Sequence, residues 1–174
     1  MNEALKNLLD RRSCRAYRDE QIKEDELEAI LEAGKYAPTG RGMQTPIMVV
    51  VQDPETYRKV ERLNAAVMGN PDAHPFYGAP TVVIVFGDTQ TPLGESDANL
   101  VMGNLLNGAN AVGVDSCYIW RAKEAFETEE GKELKKAWGI PDTYVGMGNV
   151  ILGYGKPEGR KEAAPRKADY VRRA

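Results

Sequence analysis

The sequence is poor in the residues that most often carry hydrolytic or metal chemistry. Its 174 residues include one histidine, His74, and two cysteines, Cys14 and Cys117. One histidine excludes catalysis by a histidine pair, and we expect His74, in a loop before a proline, to face solvent. The three residues do not have the spacing of a structural zinc site. Two cysteines without a pairing pattern favour a reduced, cytoplasmic protein over a disulfide-stapled secreted one.

Long apolar runs are missing as well. No segment approaches the roughly 20 consecutive apolar residues that a membrane span requires, and residues 1–10 are amphipathic without the apolar core of a signal peptide. We therefore expect no membrane association. A net charge of −3 argues against general affinity for nucleic acids. The glycine-rich phosphate loops of Rossmann and P-loop proteins are absent, so a phosphate-bearing ligand would need another mode of binding.

The sequence does contain a cluster of arginines near its start. Arg11, Arg12, Arg15 and Arg18 surround Ser13 in a chain that is acidic overall. Guanidinium groups bind phosphate oxygens through paired hydrogen bonds. Two interpretations remain open at this point, an anion site or a solvated basic face at a helix end. The chain has a second basic stretch near its other end, at Arg160, Lys161, Arg166, Lys167, Arg172 and Arg173, and both stretches could meet around one anion.

Helical and strand patterns alternate along the chain. Apolar residues at helical spacing predict helices at about residues 4–9, 25–37, 54–68, 95–112 and 129–138, and a helical turn at 121–126. Apolar runs predict strands at residues 47–51, 81–86, 115–120 and 144–152, the first two buried on both faces. Without an internal repeat or a linker, this pattern predicts a single domain of α+β or α/β class around one sheet.

The predicted helix at 95–112 is apolar or small almost all round. This predicts burial on most of its circumference, either in the centre of the domain or in a subunit interface. Its polar residues Asn104, Asn107 and Asn110 then need hydrogen-bond partners, which we expect on other helices. In the last strand, Gly146 and Gly148 predict the close approach of another backbone or a ligand.

Four short motifs follow one another along the chain in an order that is typical of one protein family. They are Arg11-Arg12-Ser13 with Arg15 and Tyr17, Ala37-Pro38-Thr39-Gly40 with Gly42 and Gln44, the run from Gly113 to Ile119, and Ile151 to Gly155 followed by Ala164-Pro165-Arg166-Lys167. Together they resemble the flavin-dependent nitroreductase family over nearly the whole chain. The resemblance implies an α+β fold, with a central antiparallel-dominated mixed sheet flanked by helices in a three-layer sandwich. It further implies one FMN-binding domain over residues 1–174 and a homodimer with FMN at the interface, in which the tail from about residue 153 wraps onto the partner.

The resemblance also assigns residues to the cofactor. Arg11 and Ser13 would bind the flavin phosphate, Arg15 would reach the ribityl chain or the ring, and Arg166 with Lys167 would form a second phosphate contact. Pro38, Thr39, Gly40 and Gln44 would line the flavin, and the backbone at Ile119, Trp120 and Arg121 would run along the ring near N5. Arg12, from the same motif, is also counted among the cofactor-binding residues, without a defined contact. No side chain is expected to act as a catalytic acid or base.

The implied activity is an NAD(P)H-dependent flavin oxidoreductase. A hydride would pass from NADH or NADPH to flavin N5 and then to an electron-poor acceptor, such as a nitroaromatic or a quinone, by a ping-pong mechanism. The chain departs from the family pattern at Gly42, Thr45, Pro46 and Trp120-Arg121. The resemblance therefore does not determine the substrate. The alternatives are an FMN-binding carrier or sensor without turnover and a flavin dehydrogenase or dehalogenase on the same scaffold.

Overall fold

The computed structural model describes the whole chain, Met1–Ala174, and contains the predicted helices and strands to within a few residues. The helices are α1 (Glu3–Asp10), α2 (Glu24–Lys35), α3 (Pro54–Val67), α4 (Gly94–Ala111), α5 (Ala122–Glu127) and α6 (Glu129–Ala137). The strands are β1 (Ile47–Val51), β2 (Thr81–Asp88), β3 (Asp115–Ile119) and β4 (Tyr144–Gly153). No helix is both long and apolar enough to cross a membrane.

The four strands form one sheet in the order β1-β2-β4-β3, and every neighbouring pair is antiparallel. A parallel contact occurs only as an isolated bridge between Ser13 and Ser116, which places the segment after α1 beside β3. The sheet is therefore antiparallel-dominated, as predicted. β1 and β3 are its two edge strands.

Helices cover both faces of the sheet. On one face, Val60 and Leu63 of α3 and Phe126 of α5 pack against Ile84 and Phe86 of β2. On the other face, Ile30 of α2 and Leu105 of α4 pack against Val83, Val85 and Val150. Because successive side chains of a strand point to opposite faces, the apolar run of β2 supplies both cores at once. The result is the three-layer α+β sandwich that was predicted.

The prediction that β1 is buried on both faces is wrong for the single chain. β1 is an outer strand, and Val50 has 37% of its surface exposed. Within the single chain α4 is buried on one side only, where Val101, Met102 and Leu105 lie, while Leu100 is 47% exposed. Burial in the centre of the domain therefore does not extend round the helix, and the alternative of a subunit interface stays a prediction. An apolar run cannot distinguish a strand with two neighbours from an outer strand with one.

Two of the three α4 asparagines have their predicted partners on neighbouring helices. The Asn104 amide donates to the Ala33 carbonyl at 2.9 Å, and the Asn110 amide donates to the side chain of Asn7 at 2.6 Å. The Asn7 amide also donates to the backbone carbonyl of Asn107 at 2.9 Å, whereas the Asn107 side chain makes no hydrogen bond within the chain. These bonds fix α4 against α2 and α1.

Both glycines of β4 mark close approaches, of the predicted backbone kind at Gly146 but of a side chain at Gly148. A β-bulge interrupts the register between Val85 and Phe86, which face Gly148 and Gly146. A methyl group on Gly146 would lie 2.8 Å from the Ala122 carbonyl oxygen, and one on Gly148 would collide with the ring of Tyr118. The approaching groups are the start of α5 and the side chain of Tyr118.

Candidate functional site

A cavity of about 390 Å³ opens where β3 ends and α5 begins, a volume within the range of small-molecule sites. We call it the β3-end cavity. It is lined by Arg15, Met68, Ala73, His74, Pro75, Tyr77, Tyr118, Ile119, Trp120 and Arg121. The fold thus brings together three residues that the sequence assigned to a cofactor, Arg15, Ile119 and Trp120. Arg121, whose backbone was predicted to be near the ring, lies beside them.

Arg15 reaches the cavity because the segment after α1 runs beside β3. The N–H of Cys14 donates to the Ser116 carbonyl at 3.0 Å, and the N–H of Arg15 donates to the Gly159 carbonyl at 2.8 Å. Cys14 and Tyr17 are buried, while Arg15 between them is exposed. Burial raises the pKa of Cys14, so this thiol packs in its neutral form rather than as a reactive thiolate.

The arginines of the opening cluster divide into two groups. The Arg12 guanidinium donates to the carbonyls of Leu9 and Arg11 at 2.6 and 2.7 Å, and so caps the end of α1. Arg18 lies 5.1 Å above the ring of Tyr154 and pairs with Glu20. Both guanidinium groups thus have partners within the chain.

Arg11, Ser13 and Arg15 form the second group. Neither the guanidinium groups of the two arginines nor the Ser13 hydroxyl makes a hydrogen bond or an ion pair within the chain, although the backbone of all three is held. A held backbone with unengaged donors is what an anion-binding segment requires.

Two buried amides hold the carbonyls at the end of β3. The Asn64 amide of α3 donates to the Trp120 carbonyl at 2.7 Å, and the Asn149 amide of β4 donates to the Ile119 carbonyl at 3.3 Å. Both asparagines are 1% exposed. Sequence reasoning missed their role, although a polar residue inside an apolar helix face or strand was the available signal.

The N–H groups of this strand end remain unpaired. Those of Trp120 and Arg121 donate to no acceptor within the chain. The Tyr118 hydroxyl donates to the Met147 carbonyl at 3.2 Å, and burial raises the pKa of Tyr118, so it remains a neutral donor at physiological pH. Residues that line the cavity therefore carry unpaired backbone donors and a fixed aromatic ring.

Four non-glycine residues have left-handed backbone, and they lie in the lining of the β3-end cavity and in the loop at residues 38–46. The non-glycine residues with positive φ are Arg41 (55°), Gln44 (52°), Tyr77 (54°) and Arg121 (76°). Tyr77 and Arg121 line the β3-end cavity, and Arg41 and Gln44 belong to the loop at residues 38–46. Such conformations cost on the order of 1–3 kcal/mol each and concentrate at functional sites.

The loop at residues 38–46 is fixed by a residue that sequence reasoning missed. Both carboxylate oxygens of Asp97, in the first turn of α4, accept from the Gly40 N–H at 3.0 Å. The Gln44 N–H donates to the Thr39 hydroxyl at 3.1 Å. Thr39 and Gln44 line a smaller cavity of about 150 Å³, whereas Pro38 and Gly40 do not.

The loop at residues 38–46 leads into β1, at one edge of the sheet, whereas the β3-end cavity lies at β3, the opposite edge strand. The register aligns Val49, Ile84, Asn149 and Ile119 in one row from β1 to β3. Three strand spacings separate the ends of this row, about 14 Å. One chain therefore does not place Thr39 and Gln44 in the cavity with Arg15 and Trp120.

The tail is tied to β3 near its beginning. Asp115 accepts from the Gly155 N–H at 3.0 Å and forms an ion pair with Arg160. Farther on, Arg166 and Lys167 are exposed, and the Arg166 guanidinium donates to the Ala164 carbonyl at 3.1 Å. No hydrogen bond connects Arg166 or Lys167 to Arg11 or Ser13, so the single chain does not join the two basic stretches.

Known proteins resemble this one in sequence and in structure. The profile described as the nitroreductase family matches residues 8–154. A protein of Archaeoglobus fulgidus, whose name proposes an NADH dehydrogenase or NAD(P)H nitroreductase, is 30% identical over 91% of this chain and 88% of its own. A protein of Bacillus subtilis named as an NAD(P)H FMN reductase is 25% identical over 95% of this chain and 70% of its own.

Two solved structures cover essentially the whole fold. A nitroreductase with bound FMN from Bacteroides fragilis superposes with a TM-score of 0.90 at 28% identity, over 100% of both chains. A nitroreductase with bound FMN from Desulfitobacterium hafniense gives a TM-score of 0.88 at 26% identity, over 100% of this chain and 99% of the other. Both superpositions extend over the whole of this chain rather than over a local motif.

Proposed function

This chain belongs to the nitroreductase family, and we propose that it is an FMN-dependent oxidoreductase that passes electrons from NADH or NADPH to an electron-poor acceptor, such as a nitroaromatic or a quinone. The observation that carries the proposal is the β3-end cavity, where Arg15 and unpaired backbone donors converge in a fold shared with FMN-bound nitroreductases. We expect donor and acceptor to occupy the same place in turn, which gives ping-pong kinetics.

The residues around the cavity fit FMN. A phosphate monoester carries about −1.5 to −2 charges at neutral pH. Arg11 and Ser13 do not line the cavity itself, but they precede Arg15 in the same segment and offer a guanidinium and a hydroxyl without partners in the chain. Arg15 lies at the cavity, where a cation would stabilise negative charge on a reduced ring. The tail residues Arg166 and Lys167 remain proposed as a second phosphate contact.

The chemistry that FMN would supply is the acceptance and delivery of a hydride at N5. This chain would position that atom through the backbone at Trp120 and Arg121, whose N–H groups have no acceptor of their own. The Asn64 amide holds the same segment through its hydrogen bond to the Trp120 carbonyl. No side-chain acid or base is assigned to the hydride step, in keeping with a chain that has one histidine.

We further propose a homodimer, because one chain divides the candidate site. Thr39 and Gln44 belong to the loop before β1, the strand at the opposite edge of the sheet from β3, and they do not line the β3-end cavity, so a second copy could supply its loop instead. Apolar surface suited to such an interface is present on α1, where Leu5, Leu8 and Leu9 are 52%, 53% and 58% exposed. A hollow of about 630 Å³ lies beside it, between α1 and the end of α4.

Absorbance spectroscopy tests the proposal. We expect purified protein, or protein incubated with FMN, to be yellow and to bleach when titrated anaerobically with NADH or NADPH. Protein that stays colourless after incubation with FMN would contradict flavin binding. Parallel lines in double-reciprocal plots of rate against donor concentration, at several acceptor concentrations, would support the ping-pong order.

A second candidate is an FMN-binding carrier or sensor. It is favoured by the bulky Trp120 and Arg121 at the cavity, where the chain departs from the family pattern that it resembles. Yellow protein that neither NADH nor NADPH bleaches would support this candidate. Dehydrogenation or dehalogenation on the same scaffold would be recognised only by its substrates.

A further inference from the structure

We propose that Trp120 and Arg121 together select the acceptor, and that this acceptor is a planar electron-poor ring carrying an anionic group such as a carboxylate. The inference rests on the proposed function, which leaves the class of acceptor open. It concerns the outer wall of the β3-end cavity rather than the groups assigned to the flavin.

The two side chains combine a flat apolar face with an adjacent charge. Trp120 is 60% exposed although it is large and apolar. The Arg121 guanidinium carbon lies 5.9 Å from the centre of the Trp120 ring, and this guanidinium has no carboxylate partner within the chain. An aromatic face stacks on a planar ring, and a guanidinium binds a carboxylate through two parallel hydrogen bonds.

The charge around the cavity favours an anion. Arg15 and Arg121 are among its lining residues, and none of the lining residues is acidic. Two carboxylates lie near without lining it: Glu61, whose Oε2 is 3.4 Å from Nδ1 of His74, and Glu124, whose charge acts on Tyr118. If Arg15 serves the flavin, Arg121 is the remaining strong cation of the wall. A cavity lined by one sign of charge concentrates ligands of the opposite sign.

The backbone of Arg121 adopts an energetically unfavourable conformation. Its φ of 76° is a conformation that glycine adopts freely and that a residue with a Cβ disfavours. The Arg121 carbonyl accepts from the Ala125 N–H at 3.0 Å, and the preceding carbonyl is held by Asn64. Both bonds fix the backbone from which the Arg121 side chain projects, and strained backbone at a cavity points to a functional role.

The test compares two acceptors of nearly equal size, 4-nitrobenzoate and 4-nitrobenzamide, which differ in charge. In the FMN-loaded protein at low salt, we expect kcat/KM to favour the benzoate by on the order of tenfold or more, the effect of one charge-assisted contact. Arg121→Gln should lower this ratio on the order of tenfold, whatever the intrinsic difference in reducibility between the two acceptors. Lys123→Gln, which removes an exposed cation two residues away outside the cavity, should leave it unchanged.

Benzoate, which is not reduced, gives a readout independent of turnover. Its binding should perturb the flavin absorbance, with a Kd that rises on the order of tenfold in Arg121→Gln and is unchanged in Lys123→Gln. Arg121→Gly tests a purely structural role: it should lose the preference without a lower Tm. A fall in Tm with no change in the ratio would overturn the inference.

The outcomes separate this inference from the proposed function. If NADH and NADPH fail to bleach the flavin, the proposed function fails first. If bleaching is normal but the unmodified protein shows no preference for the benzoate, the inference is overturned and the proposed function stands. If Arg121→Gln slows only reduction by NADH and leaves the acceptor ratio intact, the cation serves the donor, which also overturns it.

Discussion

At the residue scale, neighbouring arginines of one cluster serve different purposes. Arg12 caps α1 and Arg18 stacks on Tyr154, whereas the guanidinium groups of Arg11 and Arg15 have no partner in the chain. A cation that already satisfies its hydrogen bonds within the fold contributes less to a ligand than one held ready for it. This difference identifies which arginine substitutions should affect cofactor binding.

Arg11→Ala should weaken FMN binding without unfolding the protein. A hydrogen bond to a charged group contributes about 1.5–3 kcal/mol, so the Kd should rise on the order of tenfold to a hundredfold. Quenching of FMN fluorescence by the apoprotein measures this Kd. Arg18→Ala, from the same cluster, is the matched control and should leave the Kd unchanged; equal effects of both substitutions would indicate general electrostatic attraction.

Asn64→Leu should destabilise the fold and disturb the cavity wall. It leaves the partly buried Trp120 carbonyl without its donor, which costs up to about 1–3 kcal/mol. The loss of the Asn64 Oδ1, a buried oxygen without a partner, should offset part of this cost. Urea denaturation measures the change, with the exposed Asn99→Leu as control. A stability equal to that of the unmodified protein would mean that the Trp120 carbonyl finds another donor.

At the element scale, the start of the tail is joined to α2. The Tyr154 hydroxyl donates to the Glu26 carboxylate, and this bond lowers the pKa of Glu26 and raises that of Tyr154. Arg18 lies over the same tyrosine ring. The contact therefore connects the opening arginine segment, α2 and the beginning of the tail.

Tyr154→Phe should destabilise the protein in a pH-dependent way. A carboxyl with a lowered folded pKa stabilises the fold above its unfolded pKa, here the ordinary 4.5, and this contribution is lost as pH falls through the folded pKa. The difference in unfolding free energy between the two proteins should be largest at pH 7 and shrink towards pH 3. Urea denaturation at both pH values, with the exposed Tyr170→Phe as control, measures it; a constant difference would contradict the assignment.

The elements themselves were predictable because their signals are local. The Asp53 side chain accepts from the Thr56 N–H at 2.8 Å, the cap that an acid before Pro54 indicates. The period of the apolar residues set the remaining boundaries. The position of β1 at the outside of the sheet was not predictable, because neighbours in a sheet are decided by residues far away in sequence.

At the scale of the whole molecule, the divided site and the exposed leucines of α1 point to assembly. Leu9→Glu should convert the proposed dimer to monomer, because a carboxylate in an apolar interface must lose its hydration. Sedimentation velocity measures the change, and FMN affinity should fall with it if the loop of a second subunit completes the site. Lys59→Glu on α3 is the control. A dimer that persists in Leu9→Glu would place the interface elsewhere.

The sequence by itself determined the helices, the strands, the sandwich and the family, because periodicity, caps and motif order are properties of short segments. It also named Arg11, Ser13, Arg15 and Trp120 as candidates for a cofactor site. Only the tertiary structure decided which arginines remain unengaged, that Asn64 holds the Trp120 carbonyl across 56 positions, and that the loop at residues 38–46 lies far from the β3-end cavity. These features arise from contacts between distant segments, and packing of the whole chain is what creates such contacts.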